Sequence, residues 1–351
     1  MSSQKSDYRL PAEWEPHAAT WVAWPHRRAS FLGNFDEVPV AFSKLVRLLA
    51  QYEPVRVIGS EAVLRDASLH LLRDGARVEL IEIPTNDSWL RDTGPVFLKS
   101  EGDQQELVVV NFGFNAWGGK YPPWDADAAV ASEIARSLGL RVLEATIVLE
   151  GGAIETDGEG TLLVNHRCID DPLRNPGWSR EELTAGLQSS LRIEKVLWAS
   201  GDLVGDDTDG HIDQLARFVA PGCVVAARQS DRSDPNHKSL EANFSLLKKF
   251  KDARGRLLDV VPIELPPSIH FGDAQLPASY LNFFILNGGV IVPTFDHDLD
   301  GDAIAIIQKL FPRREVVAFS ALELIRGRGA VHCVTSQQPV IECPEDENVS
   351  A

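Results

Sequence analysis

"EVPVAFSKLVRLLAQYEPVRVIG", residues 37 to 59, carries two kinds of pattern back to back. Val38, Phe42, Leu45, Val46 and Leu49 recur at i, i+4, i+7, i+8 and i+11, one face of an α-helix, so the spacing predicts a helix over 37–51. The run "PVRVIG" that follows is short, β-branched and closed by glycine, which predicts a strand. A helix leading directly into a strand is the local mark of an α/β chain.

Working outward, "RVELIEI" (77–83) and "ELVVVNF" (106–112) read as further strands. Helical spacing returns near 125–138, 179–191, 237–252 and 301–311. The last of these opens behind Asp298, Asp300 and Asp302, and acidic side chains suit the positive end of a helix dipole. Five main helices, roughly 55 to 90 residues apart, fit two architectures. One is a doubly wound sheet; the other is a ring of five strand-and-helix units. The units share no sequence identity, and no linker or low-complexity stretch marks a boundary.

The 351 residues are 44% hydrophobic and 24% charged, as in a globular protein able to bury a sizeable core. The net charge of −17 argues against nucleic acid, which needs clustered Lys and Arg. It suits a cationic substrate, and equally suits solubility alone. The opening "MSSQKSDYRLPAEWEPH" has no apolar core of a secretory signal, and no run approaches eighteen apolar residues, so no membrane span is expected. Cys168, Cys223, Cys333 and Cys343 are scattered without a CxxC pair, which fits a reducing cytoplasm.

Four polar clusters stand out. They are "NDSWLRDTGP" with Trp89 and Asp92, "LEGGAIETDGEGT" with Glu150, "DDTDGHIDQLARFV" with His211 and Asp213, and "GRGAVHCVTSQQP" with Cys333. Three acids, a histidine and a cysteine are a sensible set for nucleophilic catalysis. Each also has a structural reading: Asp92 as a turn cap, Glu150 as a strand end, Cys333 as a buried strand cysteine and Trp89 as core. His211 and Asp213 are two apart, so on a strand they share one face. "DHDLDGD" (296–302) starts like a calcium loop, but its twelfth position is Ile307 where a bidentate Glu is required. No close His cluster supports a metal, and no glycine-rich phosphate loop supports a nucleotide.

Together the clusters resemble the agmatine deiminase / bacterial peptidylarginine deiminase family, within the wider guanidine-modifying superfamily. The resemblance spans nearly the whole chain. It rests on "LPAEWEPHAATWVAWPH", "NDSWLRDTGP", "EGGAIETDGEGTLL", "NPGWS", "TDGHIDQLARFV", "PASYLNFFILNGGVIVPTF" and "GRGAVHCVTSQQP", in that order. It implies one catalytic domain over 1–351, an α/β fold built as a five-bladed propeller of ββαβ units around a central site. It also implies hydrolysis of a guanidino group without a cofactor, allows a homo-oligomer, and places Cys333 as the nucleophile. His211 becomes the general acid/base, Glu150 its partner, Asp92 and Asp213 the clamp on the guanidinium, and Trp89 an aromatic beside the substrate. Three departures stand out: Arg328 and Ala330 interrupt a glycine run, Glu155 stands where a histidine is usual, and "DGHIDQ" replaces "GHVDN".

The implied chemistry follows from the substrate. A guanidinium is planar, delocalised and permanently charged, so its carbon is a poor electrophile. Two carboxylates on opposite edges fix it through charge-assisted hydrogen bonds, and a thiolate attacks. Agmatine going to N-carbamoylputrescine and ammonia is the first expectation. Peptidyl- or free arginine as substrate, an amidinotransferase, and a guanidine-binding module without catalysis are the alternatives.

Overall fold

The computed structural model describes residues 8–72, 77–101 and 105–341; Cys343 and the first seven residues of the opening segment lie outside them. The helix read from 37–51 spans Glu37–Leu49, and Val38, Phe42, Leu45, Val46 and Leu49 are all fully buried. Each such side chain contributes roughly 1.5–3 kcal/mol on leaving water. Pro39 lies in the first turn, where a missing N–H costs nothing. The other four expected helices are Asp125–Ser137, Arg180–Leu191, His237–Leu247 and Asp300–Leu310. Ser179 and Glu182 close a reciprocal capping box at the start of the third. The fourth ends at Leu247, earlier than its periodicity suggested: the N–H groups of Lys249 and Phe250 bond three residues back instead of four, which tightens and closes the last turn. A further helix, Glu61–Leu71, escaped the pattern; it buries only Ala67 and Leu71.

One order of elements repeats: two antiparallel strands, a helix, then a strand parallel to the second. Val96–Ser100 and Leu107–Gly113 lead through Asp125–Ser137 to Arg141–Val148. Ile154–Thr156 and Thr161–Asn165 lead through Arg180–Leu191 to Lys195–Ala199. Ala216–Ala220 and Cys223–Arg228 lead through His237–Leu247 to Asp259–Glu264. Phe284–Ile285 and Gly289–Thr294 lead through Asp300–Leu310 to Glu315–Ser320. The remaining unit joins the two ends of the chain: Thr335–Pro339 pairs antiparallel with His17–Ala23, and the Glu37–Leu49 helix leads to Val55–Gly59. The strands thus fall into separate small sheets, so the doubly wound reading is wrong for this mixed α/β fold. Among the described residues no helix is long and apolar enough to cross a membrane.

Candidate active site

The polar clusters occupy equivalent places in these units. Asp92, Glu150, Asp213 and Cys333 each lie in a short turn within four residues of a unit's first strand. The same place ahead of Phe284–Ile285 holds Asn282. A turn there aims side chains out of the end of the sheet, and the five turns converge.

His211 and Asp213 do not share a strand face. Ile212–Gln214 is a 3-10 turn, which sends the two side chains to different partners. The His211 ring is fully buried, with Nδ1 at 3.6 Å from Asp92 Oδ1 and Nε2 at 3.7 Å from Glu150 Oε2. Asp213 Oδ2 instead accepts from Asn282 Nδ2 (3.2 Å) and contacts His332 Nδ1 (2.8 Å). It also lies 3.7 Å from Cys333 Sγ. Asn282 holds the cysteine turn with three bonds, two of them to Cys333: Nδ2 donates to Sγ (3.1 Å), and Oδ1 accepts from the N–H groups of Cys333 and Ala330, each at 3.2 Å. Cys333 is 5% exposed and faces a cavity, not a strand interior.

Asp92 is fixed by Trp117 Nε1, which donates to Oδ2 (3.0 Å), and by the N–H of Gly152, which donates to Oδ1 (3.0 Å). A Cβ at 152 would sit 2.6 Å from His211 Nδ1 and 2.7 Å from Asp92 Oδ1, so the second glycine of Glu150-Gly-Gly is a requirement of close approach. Trp117 reaches Asp92 from a left-handed turn in which Ala116, Trp117, Gly118 and Gly119 have φ of 54°, 56°, 84° and 84°. Left-handed backbone costs an L-residue roughly 1–2 kcal/mol, and such strain gathers at functional sites. Glu150 is held by Arg174, whose Nε donates to Oε1 (2.8 Å) while the guanidinium also pairs with Asp171 and Asp209.

Charge follows from this packing. Burial pushes Glu150 up, but Arg174 and His211 outweigh it and hold the carboxyl at about 2. Burial pushes His211 down; Asp92, Glu150 and Asp213 outweigh it and raise the ring to about 9. Asp92 is raised to about 6 by burial and by Asp213 and Glu150, against His211. Burial and the charges of Asp213 and Asp92 push the Cys333 thiol well above its usual range. His211 Nδ1 and Nε2, Glu150 Oε2 and Asp213 Oδ1 are buried without a hydrogen-bond partner among the described residues. The two His211 nitrogens face carboxylate oxygens at 3.6 and 3.7 Å, just beyond hydrogen-bond length, and such loosely paired buried polar atoms leave capacity for bonds to a ligand.

The cavity over Cys333 encloses about 740 Å³ of empty space and opens to solvent. Trp89, stacked on Phe31 at 5.6 Å, and Trp117 form its aromatic walls, with Asp92, Asp87, Asp207, Tyr121 and Arg328 around them. A Cβ on Gly329 would come within 2.4 Å of Trp89 and 2.9 Å of the cysteine Cβ.

Behind the site lies a second charged cluster. Glu13, Glu155 and His332 bring ligand-type atoms within 4.8 Å of one another. A cation does not fit there. Arg217 pairs with Glu155 and with Glu13 (3.0 Å), and Arg91 stands 3.6 Å from Glu13, so two guanidiniums already neutralise the acids. Glu155 therefore has a charge-pairing place where the sequence pattern led one to expect histidine.

The five residues expected to carry the chemistry come together, and Trp89 lines their cavity. Asn282, Trp117, Arg174, Glu13, Arg217 and His332 were missed. Glu13, Arg217, Asn282 and His332 lay inside the motifs of the family resemblance and Arg174 directly before another, but only the repeat position of Asn282 offered a signal.

The comparisons with known proteins agree with this geometry. The family model described as Porphyromonas-type peptidyl-arginine deiminase matches residues 9–339. The agmatine deiminase of Ectopseudomonas mendocina is 38% identical over 355 residues, covering 95% of each chain. The solved agmatine deiminase of Enterococcus faecalis superposes with a TM-score of 0.90 at 32% identity, over 95% of this chain and 96% of that one. A dimethylarginine dimethylaminohydrolase, 12% identical and covering 92% of this chain and 99% of that one, shares the fold alone, with a TM-score of 0.51. On the near-complete family match and the extent of these identities, the chain belongs to the Porphyromonas-type peptidyl-arginine deiminase family.

Proposed function

We infer that the protein hydrolyses the guanidino group of agmatine, giving N-carbamoylputrescine and ammonia through a cysteine thiouronium intermediate. The observation that carries this reading is the set of buried, unpartnered polar atoms of Glu150, His211 and Asp213 beside a thiol. The relatives named agmatine deiminase support the substrate. The five repeated units support a single catalytic domain arranged as a five-bladed ring, with the turns at its centre.

In this reading the cation slides between Trp89 and Trp117 and is gripped by Asp92 and Asp213. Its positive charge offsets the two carboxylates that now raise the thiol, so Cys333 releases its proton to solvent as substrate arrives. Sγ bonds to the guanidino carbon. Protonated His211 gives its proton to the departing nitrogen, and ammonia leaves. His211, now neutral and oriented by Glu150, takes a proton from water; the hydroxide attacks the thiouronium carbon and expels the thiolate. No step needs a metal. Cys168, Cys223 and Cys333, all free, fit a reducing cytoplasm.

Incubation with agmatine, free arginine and a peptidyl-arginine, with ammonia and ureido detection, tests the reading. Agmatine should give both products in equal amounts, with no loss in a chelator. Ammonia from neither agmatine nor the arginine substrates would sink the deiminase reading.

A further inference from the structure

We propose that Arg328 is the specificity-determining residue for the far end of the substrate: it occupies Asp207, the acid at the cavity mouth, and so weakens capture of a second cationic group. This deepens the reading above and rests on it for the position of the reacting guanidine.

Arg328 lines the same cavity as Cys333, Asp92, Trp89 and Trp117. Its Nη1 donates to Asp207 Oδ1 at 2.6 Å and to the carbonyl of Gly205 at 3.2 Å. Both side chains of this pair are about one-third exposed, so solvent screens the contact and an incoming charge can compete for it. The other acid on the outer wall, Asp87, is buried and already accepts from Ser30 Oγ and from Ser88 N–H (2.8 Å). Asp207, far more exposed than Asp87, is therefore the acid that a far-end ammonium would meet; the Tyr121 hydroxyl donates to its Oδ2 and Arg328 is its one cationic side-chain partner among the described residues.

The backbone points the same way. Arg328 has φ of 70°, a left-handed conformation that glycine adopts freely and other residues rarely do. Gly327 and Gly329 on either side leave no room for a Cβ against Trp89, so the loop path is set by the aromatic wall. The guanidinium is thus carried on a strained residue between two glycines whose positions admit no side chain.

The far end can be varied while the reacting end is kept. Agmatine ends in an ammonium, butylguanidine in a methyl group, and 5-guanidinopentanoate in a carboxylate. Arg328→Gly relieves backbone strain and should fold. It should lower KM for agmatine about five-fold or more, leave butylguanidine within about two-fold, and raise KM for 5-guanidinopentanoate. Arg328→Lys should keep the unaltered chain's order of preference. Adding Asp207→Asn to Arg328→Gly should erase the gain on agmatine, because the freed acid is then gone. Equal shifts for all three substrates, or none, would overturn the proposal. If the unaltered chain turns over none of them, the deiminase reading fails, and the same ligands measured by calorimetric binding still decide the role of Arg328.

Discussion

Two buried charge clusters meet at Asp213, one on each side, and they differ in how completely they are bonded. On the cavity side, both His211 nitrogens, one Glu150 oxygen and one Asp213 oxygen have no hydrogen-bond partner among the described residues. On the rear side, Arg217 is fully engaged. It pairs with Glu13 and Glu155, and donates to the carbonyls of Leu281 (2.9 Å) and Phe283 (2.6 Å). His332 bridges the two clusters, with Asp213 Oδ2 on one nitrogen and Glu13 Oε2 on the other, both at 2.8 Å. Of the side-chain atoms of Glu13, Arg91, Glu155, Arg217 and His332, Arg91 Nη2 alone lacks a hydrogen-bond partner among the described residues. Similar residue types at similar burial thus divide into a saturated scaffold and an unsaturated site. A saturated network can only hold; an unsaturated one is poised to bind.

The difference can be broken most severely at the thiol. Cys333→Ser should reduce turnover to background, because an oxygen of far higher pKa cannot replace the thiolate. The melting temperature should barely move. More than a tenth of the original rate would remove Cys333 from the reaction.

Asp92→Asn should lower kcat/KM by about 10²–10³-fold, the scale for losing one electrostatic contact in a preorganised site. Stability should change little, because removing the buried charge offsets the loss of one of its two N–H partners. The folded carboxyl titrates near 6, above its unfolded value near 3.9, so above pH 6 the ionised group disfavours folding. A clearly lowered denaturant midpoint at pH 7 would place Asp92 with the scaffold.

Glu13→Gln should do the reverse. Burial pushes Glu13 up, but Arg217, His332 and Arg91 hold it well below the usual range, so its charge belongs to the fold. Removing one partner of a buried charge pair costs roughly 3–5 kcal/mol. Urea unfolding measures this. A variant as stable as the parent would dissolve the distinction between the two clusters.

The mildest test is the pH profile of kcat/KM. Asp92 must be ionised to grip a guanidinium, and His211 must carry the proton it gives away. With Asp92 at about 6 and His211 at about 9, the profile should rise through pH 6 and fall above 9. In Asp92→Asn the acid limb should shift or vanish, and the alkaline limb should move to lower pH, because Asp92 is the foremost of the charges that raise His211. An acid limb unchanged in that variant would assign it to another group.

Much of this was legible in the chain itself. Periodicity of 3.6 placed five helices, because each must bury one stripe of apolar side chains, and that requirement is written locally in the sequence. Asp92, Glu150, His211, Asp213, Cys333 and Trp89 were legible as residue types in turn-rich motifs; Asp92, Cys333 and Trp89 line one cavity, and Glu150, His211 and Asp213 pack directly behind Asp92 and Cys333. Three things were not legible. His211 and Asp213 look like a strand pair by spacing, yet a 3-10 turn parts them. Asn282 reads as one polar residue in an apolar run, and only superposing the five units shows it in the place that holds Asp92 or Cys333 elsewhere. Glu13 and Arg217 are 204 positions apart, and no local pattern could pair them.

The sequence by itself determined the elements and the chemical inventory, because propensity, periodicity and side-chain chemistry act over a few residues. Only the tertiary structure decided which of the buried charges are spent on one another and which remain open. Hydrogen-bond saturation is a property of distances between residues far apart in the chain, and those distances exist only once the chain has folded.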